Sequence, residues 1–215
     1  MPSTKEQILE VEPTVFVIDD DEGVRQALRR LFQSVDLRVA VFGSAAEFLK
    51  QKMPSAPSCL VLDVRLPGMS GLDFQSELAR AKIHIPIIFI TGHGDIPMSV
   101  KAMRAGAVEF LPKPFRDQDL LDAVRIGIDR DKARRESEGA TSNLRGKYGT
   151  LTSREQQIIA LVASGFLNKQ IAAEIGVTEV TVKVHRGNMM RKMGAKSLAE
   201  LVRMVDALGV QRNIS

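Results

Sequence analysis

The chain has 215 residues, of which 44% are hydrophobic and 26% are charged, a composition typical of a globular protein with room for two domains. A single cysteine, Cys59, excludes an internal disulfide, and we expect it to be a reduced, buried thiol. The sequence contains no apolar run of membrane-spanning length and no N-terminal segment of the secretory type. These features exclude a membrane-spanning or disulfide-stabilised protein and predict a soluble, cytoplasmic one.

Charge is distributed unevenly along the chain. Residues 1–130 hold 16 Lys and Arg against 18 Asp and Glu, and residues 131–147 hold five against three. Residues 148–215 hold nine against five, so the basic excess lies in the last third. A basic segment of this kind is typical of nucleic-acid binding, whereas the acidic first part suits a cation.

Short apolar runs alternate with amphipathic segments over the first 130 residues. Between the first two runs, for example, Val24, Leu28, Leu31 and Phe32 recur at helical spacing. Strands that alternate with helices predict an α/β fold, a doubly wound parallel sheet of five strands. The five strands are expected at residues 15–18, 38–42, 59–62, 87–90 and 109–111.

Polar side chains stand where these strands end. Asp19 and Asp20 follow the first strand, Asp63 the third, Thr91 the fourth and Lys113 the fifth. In a doubly wound sheet the ligand site lies beyond the carboxyl ends of the strands. Converging carboxylates bind Mg²⁺, while a Lys and a hydroxyl suit a phosphate beside it. The sequence therefore predicts a magnesium and phosphate site at this edge.

The acidic run at the first strand end continues with Asp21 and Glu22. Asp21 is well placed to cap the following helix, and Glu22 is favourable in the first turn of that helix. The four acids therefore divide into a pair for the metal and a pair for the helix.

Four motifs around these residues resemble those of two-component receiver domains, over roughly residues 13–130. The resemblance implies that Asp63 accepts a phosphoryl group from the phosphohistidine of a sensor histidine kinase. It also implies that Asp20, Asp63 and the backbone carbonyl of Arg65 hold Mg²⁺, with Asp19 acting through water. The motifs are Val17-Ile18-Asp19-Asp20, Leu62-Asp63-Val64-Arg65-Leu66-Pro67-Gly68-Met69-Ser70-Gly71, Ile90-Thr91-Gly92 and Leu111-Pro112-Lys113-Pro114-Phe115.

The same resemblance implies a conformational switch. Lys113 would pair with the acyl phosphate, and its peptide bond to Pro114 is expected to be cis. Thr91 would turn its hydroxyl toward the phosphoryl group, and Phe110 would fill the space that Thr91 leaves. The helix around residues 98–104 is then expected to form a homodimer interface upon phosphorylation.

The segment from Thr91 to Met98, with the sequence TGHGDIPM, is similar to that of receivers of the FixJ type. His93 and Arg65 flank the site, and we expect them to tune the lifetime of the phosphoryl group. The three histidines are scattered along the chain and have no cysteine partner, which argues against zinc.

A change of composition separates the receiver-like part from the last third. A helix is predicted from residue 117, and it runs into a charged stretch at 129–138 that has almost no apolar stripe. Residues 139–148 are rich in Gly, Ser, Thr and Asn and are expected to form a hinge. The predicted domains are therefore a receiver at 13–130, a linker at 131–147 and a DNA-binding domain at 148–210.

The last third has the signals of four helices. Capping boxes are predicted at residues 152–155 and 197–200, and a three-residue turn at 176–178 separates the two middle helices. Two helices joined by such a turn indicate a helix-turn-helix motif.

The helix that begins at Thr178 can be divided into two faces by counting about 100° per residue. Val182, Met189 and Met193 share one face, which we expect to be buried. The opposite face suits the major groove, with cations for guanine or phosphate and valine for thymine methyl groups. Arg191 and Lys192 are expected to contact phosphates. The groove face holds Val180, Lys183, Val184, Gly187 and Arg191.

Three motifs of this region resemble the LuxR/FixJ-type DNA-binding domain, over roughly residues 148–210. The resemblance implies promoter DNA and RNA polymerase as partners. Relatives often carry Lys or Arg where this chain has Gly187, so base preference is harder to transfer. The motifs are Leu151-Thr152-x-Arg154-Glu155, Asn168-Lys169-x-Ile171-Ala172 and Thr181-Val182-Lys183-x-His185.

We interpret the chain as a FixJ-like response regulator, a transcription factor rather than an enzyme, which catalyses only its own phosphotransfer and dephosphorylation. Three alternative functions fit the sequence less well. A haloacid-dehalogenase-type phosphatase would need a second acid two residues after Asp63, where Arg65 stands. An autoinducer-binding LuxR regulator relies on Trp and Tyr, and this chain has no Trp and one Tyr. A pure phosphotransfer module would not need the basic third.

Overall fold

The computed structural model describes residues 12–92 and 96–210 of the chain. The chain divides into two compact units, the first ending at Arg135 and the second beginning at Glu136. His93, for which the sequence predicts an influence on the phosphoryl group, lies outside the described residues.

The N-terminal unit is built on one parallel sheet of five strands. Its strand order is β2-β1-β3-β4-β5, and all four neighbouring pairs are parallel. Every predicted strand lies within an observed one, so the predicted doubly wound sheet is confirmed. The strands are β1 (Thr14–Ile18), β2 (Arg38–Phe42), β3 (Ser58–Asp63), β4 (Ile87–Thr91) and β5 (Glu109–Pro112).

Helices cover both faces of the sheet, because successive side chains of each strand point to opposite faces. Val15 and Val17 belong to a core that includes apolar residues of the first and fifth helices. Phe16 and Ile18 belong to the core on the other face. The helices are α1 (Glu22–Gln33), α2 (Ala45–Leu49), α3 (Gly71–Arg80), α4 (Ile96–Arg104) and α5 (Asp117–Gly149).

Helix α1 begins as the sequence predicts. Asp21 is its N-cap, and the Oδ1 atom of Asp21 accepts a hydrogen bond of 3.2 Å from the backbone N–H of Val24. Glu22 lies in the first turn, where its charge complements the helix dipole. The cap directs α1 away from the end of β1 and leaves Asp19 and Asp20 in the connection between the two elements.

Helix α5 is longer than predicted. It continues to Gly149, so residues 139–148 are helical rather than a loop. The two glycines in this stretch, Gly139 and Gly146, are isolated among residues that tolerate a helix, and each weakens a helix by only about 1 kcal/mol relative to alanine. Although α5 has 33 residues, neither α5 nor any other described helix is long and apolar enough to cross a membrane.

Asp131 joins α5 to the start of β3. Its carboxylate is fully buried and accepts a hydrogen bond of 2.9 Å from the backbone N–H of Ser58. Arg134 and Arg135 both pair with it, Arg135 through a contact of 2.6 Å. The charged stretch at 129–138 therefore lies partly inside the fold.

Cys59 lies in β3 and is fully buried as a free thiol, as expected. Burial raises the pKa of the Cys59 thiol. Gly127 of α5 packs directly on it, since a Cβ atom placed at residue 127 would lie 3.0 Å from the Cβ of Cys59. Strand and helix therefore enclose the thiol.

After α5, the described residues of the C-terminal unit form four helices around one apolar core, as predicted. The capping box of Thr152 and Glu155 is formed. At Ser197 only half of the predicted box is present, because the side chain of Glu200 accepts from the backbone N–H of Lys196. The helices are α6 (Ser153–Ala163), α7 (Asn168–Ile175), α8 (Glu179–Met193) and α9 (Leu198–Leu208).

Candidate functional site

Three carboxylates meet at the carboxyl ends of β1 and β3. Asp19 and Asp20 follow β1, Asp63 ends β3, and one oxygen from each lies within 4.8 Å of the others. Asp19 is fully buried, Asp63 is 7% exposed, and Asp20 is exposed. A hard divalent cation takes oxygen ligands, so this donor set fits Mg²⁺. The sequence predicted all three residues.

Lys113, after β5, joins the two buried carboxylates. Its Nζ atom lies 2.7 Å from Oδ2 of Asp19 and 2.7 Å from Oδ2 of Asp63. Burial raises the pKa of Asp19, and the hydrogen bond from Lys113 only partly offsets this effect. Burial also acts to lower the pKa of Lys113, but its hydrogen bonds to the two carboxylates outweigh burial and raise it. One ammonium thus pairs with two carboxylates while the third, Asp20, lies beside them, and the excess of negative charge attracts a further cation.

Backbone groups orient these side chains. The N–H of Asp21 donates to Oδ1 of Asp19 at 2.9 Å, and the N–H of Arg65 donates to Oδ1 of Asp63 at 2.8 Å. Each buried carboxylate therefore has one oxygen on a backbone amide and one on Lys113. This arrangement leaves the two side chains little freedom to rotate.

Arg25 is a contributor that the sequence analysis missed. Its Nη1 atom donates to the backbone carbonyls of Asp19 and Asp20, at 2.7 and 2.8 Å. The residue lies one turn into α1, where a side chain can reach back over the helix N-terminus. Its position four residues after Asp21, the N-cap of α1, is the feature of the sequence that could have indicated this contact.

Helix α3 begins directly against the strand that ends in Asp63. A Cβ atom at Gly71 would lie 2.4 Å from the backbone oxygen of Asp63, closer than two such atoms can approach. The N–H of Gly71 also donates to the carbonyl of Val64 at 2.8 Å. Only glycine permits this close approach, which fixes the backbone at the end of β3.

Thr91 and Phe110 lie on neighbouring strands beside this site. Thr91 ends β4 and is fully buried, and its carbonyl accepts a hydrogen bond of 2.7 Å from the N–H of Lys113. The Lys113–Pro114 peptide bond is cis, as expected. Phe110 is half-buried, and its ring centroid lies 6.2 Å from that of Phe89. Thr91 therefore contacts the backbone of Lys113 across the sheet, and Phe110, on β5, precedes Lys113 by three residues.

The second candidate site is the helix α8. Gly176 ends α7 with a left-handed backbone, φ 68°, and Thr178 caps α8 by accepting a hydrogen bond from the N–H of Thr181. On α8, Val182, Met189 and Met193 are fully buried, as the angular count predicted. The tight turn and the buried face are those of a helix-turn-helix motif.

The opposite face of α8 is open to solvent. Val180 is 69% exposed and Val184 is 58% exposed, which are high values for aliphatic side chains. Their neighbours on this face are also exposed, and they are Lys183, Gly187 and Arg191. An exposed face that mixes cations with aliphatic groups can contact both phosphates and base edges.

Lys192 has partners inside the C-terminal unit that the sequence did not predict. Its Nζ atom lies 2.6 Å from Oε2 of Glu155 and 3.2 Å from the carbonyl of Thr150. Lys192 follows Arg191 by one residue and therefore points about 100° away from the groove face. The hydrogen bond from Lys192 lowers the pKa of Glu155, which is 3% exposed.

Two polar contacts that the sequence analysis missed tie the helices of this unit together. Arg186 of α8 donates to Oδ1 of Asn168 in α7 at 2.6 Å. Arg154 of α6 donates to the backbone carbonyl of Ile175 at the end of α7. These pairs lie 18 and 21 residues apart in the chain, so no local pattern signals them.

Two family profiles match this chain, and each covers one of the two candidate sites. The profile of the response regulator receiver domain matches residues 15–125. The profile of the bacterial regulatory proteins of the luxR family matches residues 149–205. The first match contains the three carboxylates and Lys113, and the second contains the whole of α8. The two matches favour the response-regulator interpretation over the alternative functions considered for the sequence.

Whole-chain comparisons give the same combination. Nodulation protein W of Bradyrhizobium diazoefficiens is 59% identical over 199 residues, which cover 93% of this chain and 88% of that protein. The transcriptional regulatory protein FixJ of Azorhizobium caulinodans is 43% identical over 196 residues, with 91% and 93% coverage. A solved structure of the response regulator StyR is 51% identical, has a TM-score of 0.81, and covers 91% of this chain and 98% of that one.

Of these three proteins, FixJ is named as a transcriptional regulatory protein and StyR as a response regulator. The third is named as a nodulation protein. Both domains of this chain are matched, in the same order, over nearly its whole length. The protein therefore belongs to the two-component response regulators of the FixJ type, DNA-binding transcriptional regulators that join a receiver domain to a luxR-family helix-turn-helix domain.

Proposed function

We propose that Asp63 is the phosphoacceptor of this receiver. A carboxylate oxygen of Asp63 forms a bond to the phosphorus of a kinase phosphohistidine, and the phosphorus–nitrogen bond breaks with its electron pair passing to the imidazole. The observation that carries this proposal is the cluster of Asp19, Asp20 and Asp63, in which the carboxylates of Asp19 and Asp63 each lie 2.7 Å from Nζ of Lys113. The chain would catalyse its own phosphotransfer and dephosphorylation and no other reaction.

The residues that would hold Mg²⁺ are Asp19, Asp20, Asp63 and the backbone carbonyl of Arg65. Support comes from the ligand oxygens of the three acids, which lie within 4.8 Å of one another, and from their excess of negative charge over Lys113. When bound, the ion neutralises charge that develops on the transferred phosphoryl group.

Lys113 and Thr91 would sense the phosphoryl group. The group adds nearly two negative charges at Asp63, so the ammonium of Lys113 would turn from Asp19 toward it. The hydroxyl of Thr91 would follow, and Phe110 would move into the space beside β4. These shifts would prepare the α4 surface for a second copy of the chain, so that phosphorylation promotes a homodimer.

The C-terminal unit would bind promoter DNA and act with RNA polymerase. We assign a receiver to residues 13–130, a linker to 131–147 and the DNA-binding domain to 148–210. Both matched profiles fall within the two outer segments. A regulator with these partners, a kinase and chromosomal DNA, would work in the cytoplasm.

The groove-facing surface of α8 would comprise Val180, Lys183, Val184, Gly187 and Arg191, all of which are exposed. The N-terminal members would contact base edges, while Arg191 would contact a phosphate. Lys192 is left out of this surface, because Glu155 already binds its ammonium.

The phosphoacceptor assignment is tested with a small phosphoryl donor and Mg²⁺. Intact mass spectrometry should show one added phosphoryl group on the wild type and none on Asp63→Asn. Light scattering should show dimers of the wild type but not of Asp63→Asn. Asp36→Asn is the matched control, because Asp36 is exposed, has φ 58° and tolerates asparagine there. An Asp63→Asn protein that still dimerises with donor would contradict the proposal.

The DNA-binding assignment is tested with Lys183→Ala. Loss of a base contact should weaken binding to the cognate duplex by about 1 to 3 kcal/mol and binding to random DNA much less. Equal losses on both duplexes would mean that Lys183 meets the phosphate backbone and that bases are read elsewhere.

A further inference from the structure

Gly187 stands in the interior of α8, on its exposed face. Glycine weakens a helix interior relative to alanine, because its backbone loses more conformational freedom on folding. A glycine at such a place is unfavourable for folding unless something requires it.

The described part of the protein supplies no such requirement. A Cβ atom at residue 187 would have no heavy atom of the described chain within 4 Å, and the backbone there is not left-handed. Gly71, by contrast, would clash with the backbone of Asp63, and Gly176 has φ 68°. Gly146 of α5 is equally unconstrained, so what sets Gly187 apart is the face of α8 on which it lies.

The surroundings of Gly187 indicate what approaches. Val184 precedes it by three residues and Val180 by seven, so the three residues form one stripe along α8. The two valines are 58% and 69% exposed, which leaves an apolar strip in water. Lys183 is exposed beside the strip, and Arg191 is exposed one turn beyond Gly187, so both add positive charge around it. An apolar strip among cations can bind a partner that is negatively charged and exposes a small apolar group.

We propose that Val184 and Gly187 form the wall and floor of a recess that receives the C5 methyl group of a thymine. This inference rests on the proposed function, in which this face of α8 enters the major groove. The thymine methyl group projects into that groove and is recognised by apolar contact. With only hydrogen on the α carbon at residue 187, the helix backbone comes close enough to close the recess, and any side chain there occupies the place of the methyl group.

The test uses the full-length wild-type chain to select a tight-binding duplex from a random library. Gly187→Ala should raise the melting temperature of the C-terminal unit by about 3 to 6 °C, because alanine favours the helix. It should nevertheless lower the affinity for the selected duplex about tenfold. Gly187→Leu should lower the affinity further at similar helix stability.

Uracil replacement identifies the methyl group itself. Exchanging one particular thymine of the selected duplex for uracil should weaken wild-type binding about threefold to tenfold, whereas Gly187→Ala should lose nothing more from the same exchange. Gly146→Ala is the matched control, because Gly146 is also helical and a Cβ there also has nothing within 4 Å. That variant should gain stability and keep the wild-type affinity.

These binding measurements distinguish failure of the recess from failure of the proposed DNA surface. If Lys183→Ala loses affinity for the selected duplex while Gly187→Ala does not, the proposed DNA surface stands and the recess is refuted. If no thymine-to-uracil exchange affects the wild type, or if Gly187→Ala loses equally on selected and scrambled duplexes, the recess is likewise refuted. If Lys183→Ala loses equally on both duplexes, the proposed base reading fails and the recess with it.

Discussion

Two lysines of this protein bind buried carboxylates, but the pKa values of the two acids shift in opposite directions. Lys113 lies between Asp19 and Asp63, and the pKa of Asp19 is raised because burial dominates. Lys192 pairs with Glu155, and the pKa of Glu155 is lowered because the hydrogen bond from Lys192 dominates. The first cluster has more acids than cations and the second is balanced.

The difference separates a site prepared for chemistry from a structural ion pair. Repulsion within an unbalanced cluster of buried acids lowers the free energy of unfolding. Binding of a cation, or phosphorylation that rearranges the charge, relieves this repulsion. A balanced pair gains nothing from a ligand. Removing one member of either cluster should therefore have different consequences for stability, for metal response and for DNA binding.

The largest effect is expected from Lys113→Ala. The change leaves Asp19 and Asp63 close together without their ammonium, so the N-terminal unit should lose about 2 to 3 kcal/mol of unfolding free energy in metal-free buffer. Saturating Mg²⁺ should restore a large part of the loss, because the ion replaces the missing positive charge. Urea unfolding with and without Mg²⁺ measures both quantities.

The control for this experiment is Arg116→Ala. Arg116 pairs with Asp119 at the surface, and an exposed pair of this kind contributes little. A loss of stability in Lys113→Ala that Mg²⁺ does not reduce would show that the acids form a structural cluster, like the one at Glu155, and would remove the contrast between the two.

Lys192→Ala should have the next largest effect. Glu155 would remain buried without its cation, but Lys192 is 35% exposed in its side chain, so we expect a loss of about 1 to 2 kcal/mol from the C-terminal unit. Binding to DNA at temperatures where the unit is folded should not change. Urea unfolding and DNA titration at several salt concentrations test the two parts.

Arg191→Ala is the matched variant, one residue away on the groove face. It should keep the stability of the unit, weaken binding to cognate and random DNA alike, and reduce the slope of affinity against salt by about one. If Lys192→Ala reduced the salt slope instead, the ammonium of Lys192 would be a phosphate ligand after all.

Acid should weaken the balanced pair. The folded-state pKa of Glu155 lies below its ordinary value of 4.5, so its contribution is present above that value and is lost as pH falls through the folded pKa. We expect the C-terminal unit of the wild type to lose more unfolding free energy than Glu155→Gln when the pH falls from neutral to below 4.5. Thermal unfolding across that range measures the difference, and parallel curves for the two proteins would refute it.

The smallest effect is expected from Asp20→Asn. Asp20 is exposed, so relief of repulsion in metal-free buffer should add only about 0.5 kcal/mol to the N-terminal unit. The increase of melting temperature caused by Mg²⁺ should fall sharply, because one ligand is lost. A variant less stable than the wild type without metal would mean that Asp20 is structural.

The sequence was most informative where the relevant signal is local. Asp19, Asp63 and Lys113 could be found because each directly follows an apolar run, and parallel strands end at one edge of a sheet. The buried side of α8, including Val182 and Met189, followed from the 100° period of a helix. Both rules depend on neighbours along the chain.

Contacts between distant segments could not be found in this way. Asp131 resembles one more acid in a charged stretch, yet it accepts a hydrogen bond from Ser58, 73 residues earlier. Lys192 resembles its neighbour Arg191, and its partner Glu155 lies 37 residues before it. Which charged residue turns inward depends on how separate elements pack, and charge alone does not indicate it.

The buried thiol of Cys59 can be used to detect opening of the N-terminal unit. A water-borne thiol reagent reaches Cys59 only when β3 and α5 part, since Gly127 packs against its Cβ atom. The chain has one cysteine, so every labelled molecule records an opening of that unit. The rate of labelling under native conditions therefore measures the frequency of local opening, in the same sense as amide hydrogen exchange but at a single atom.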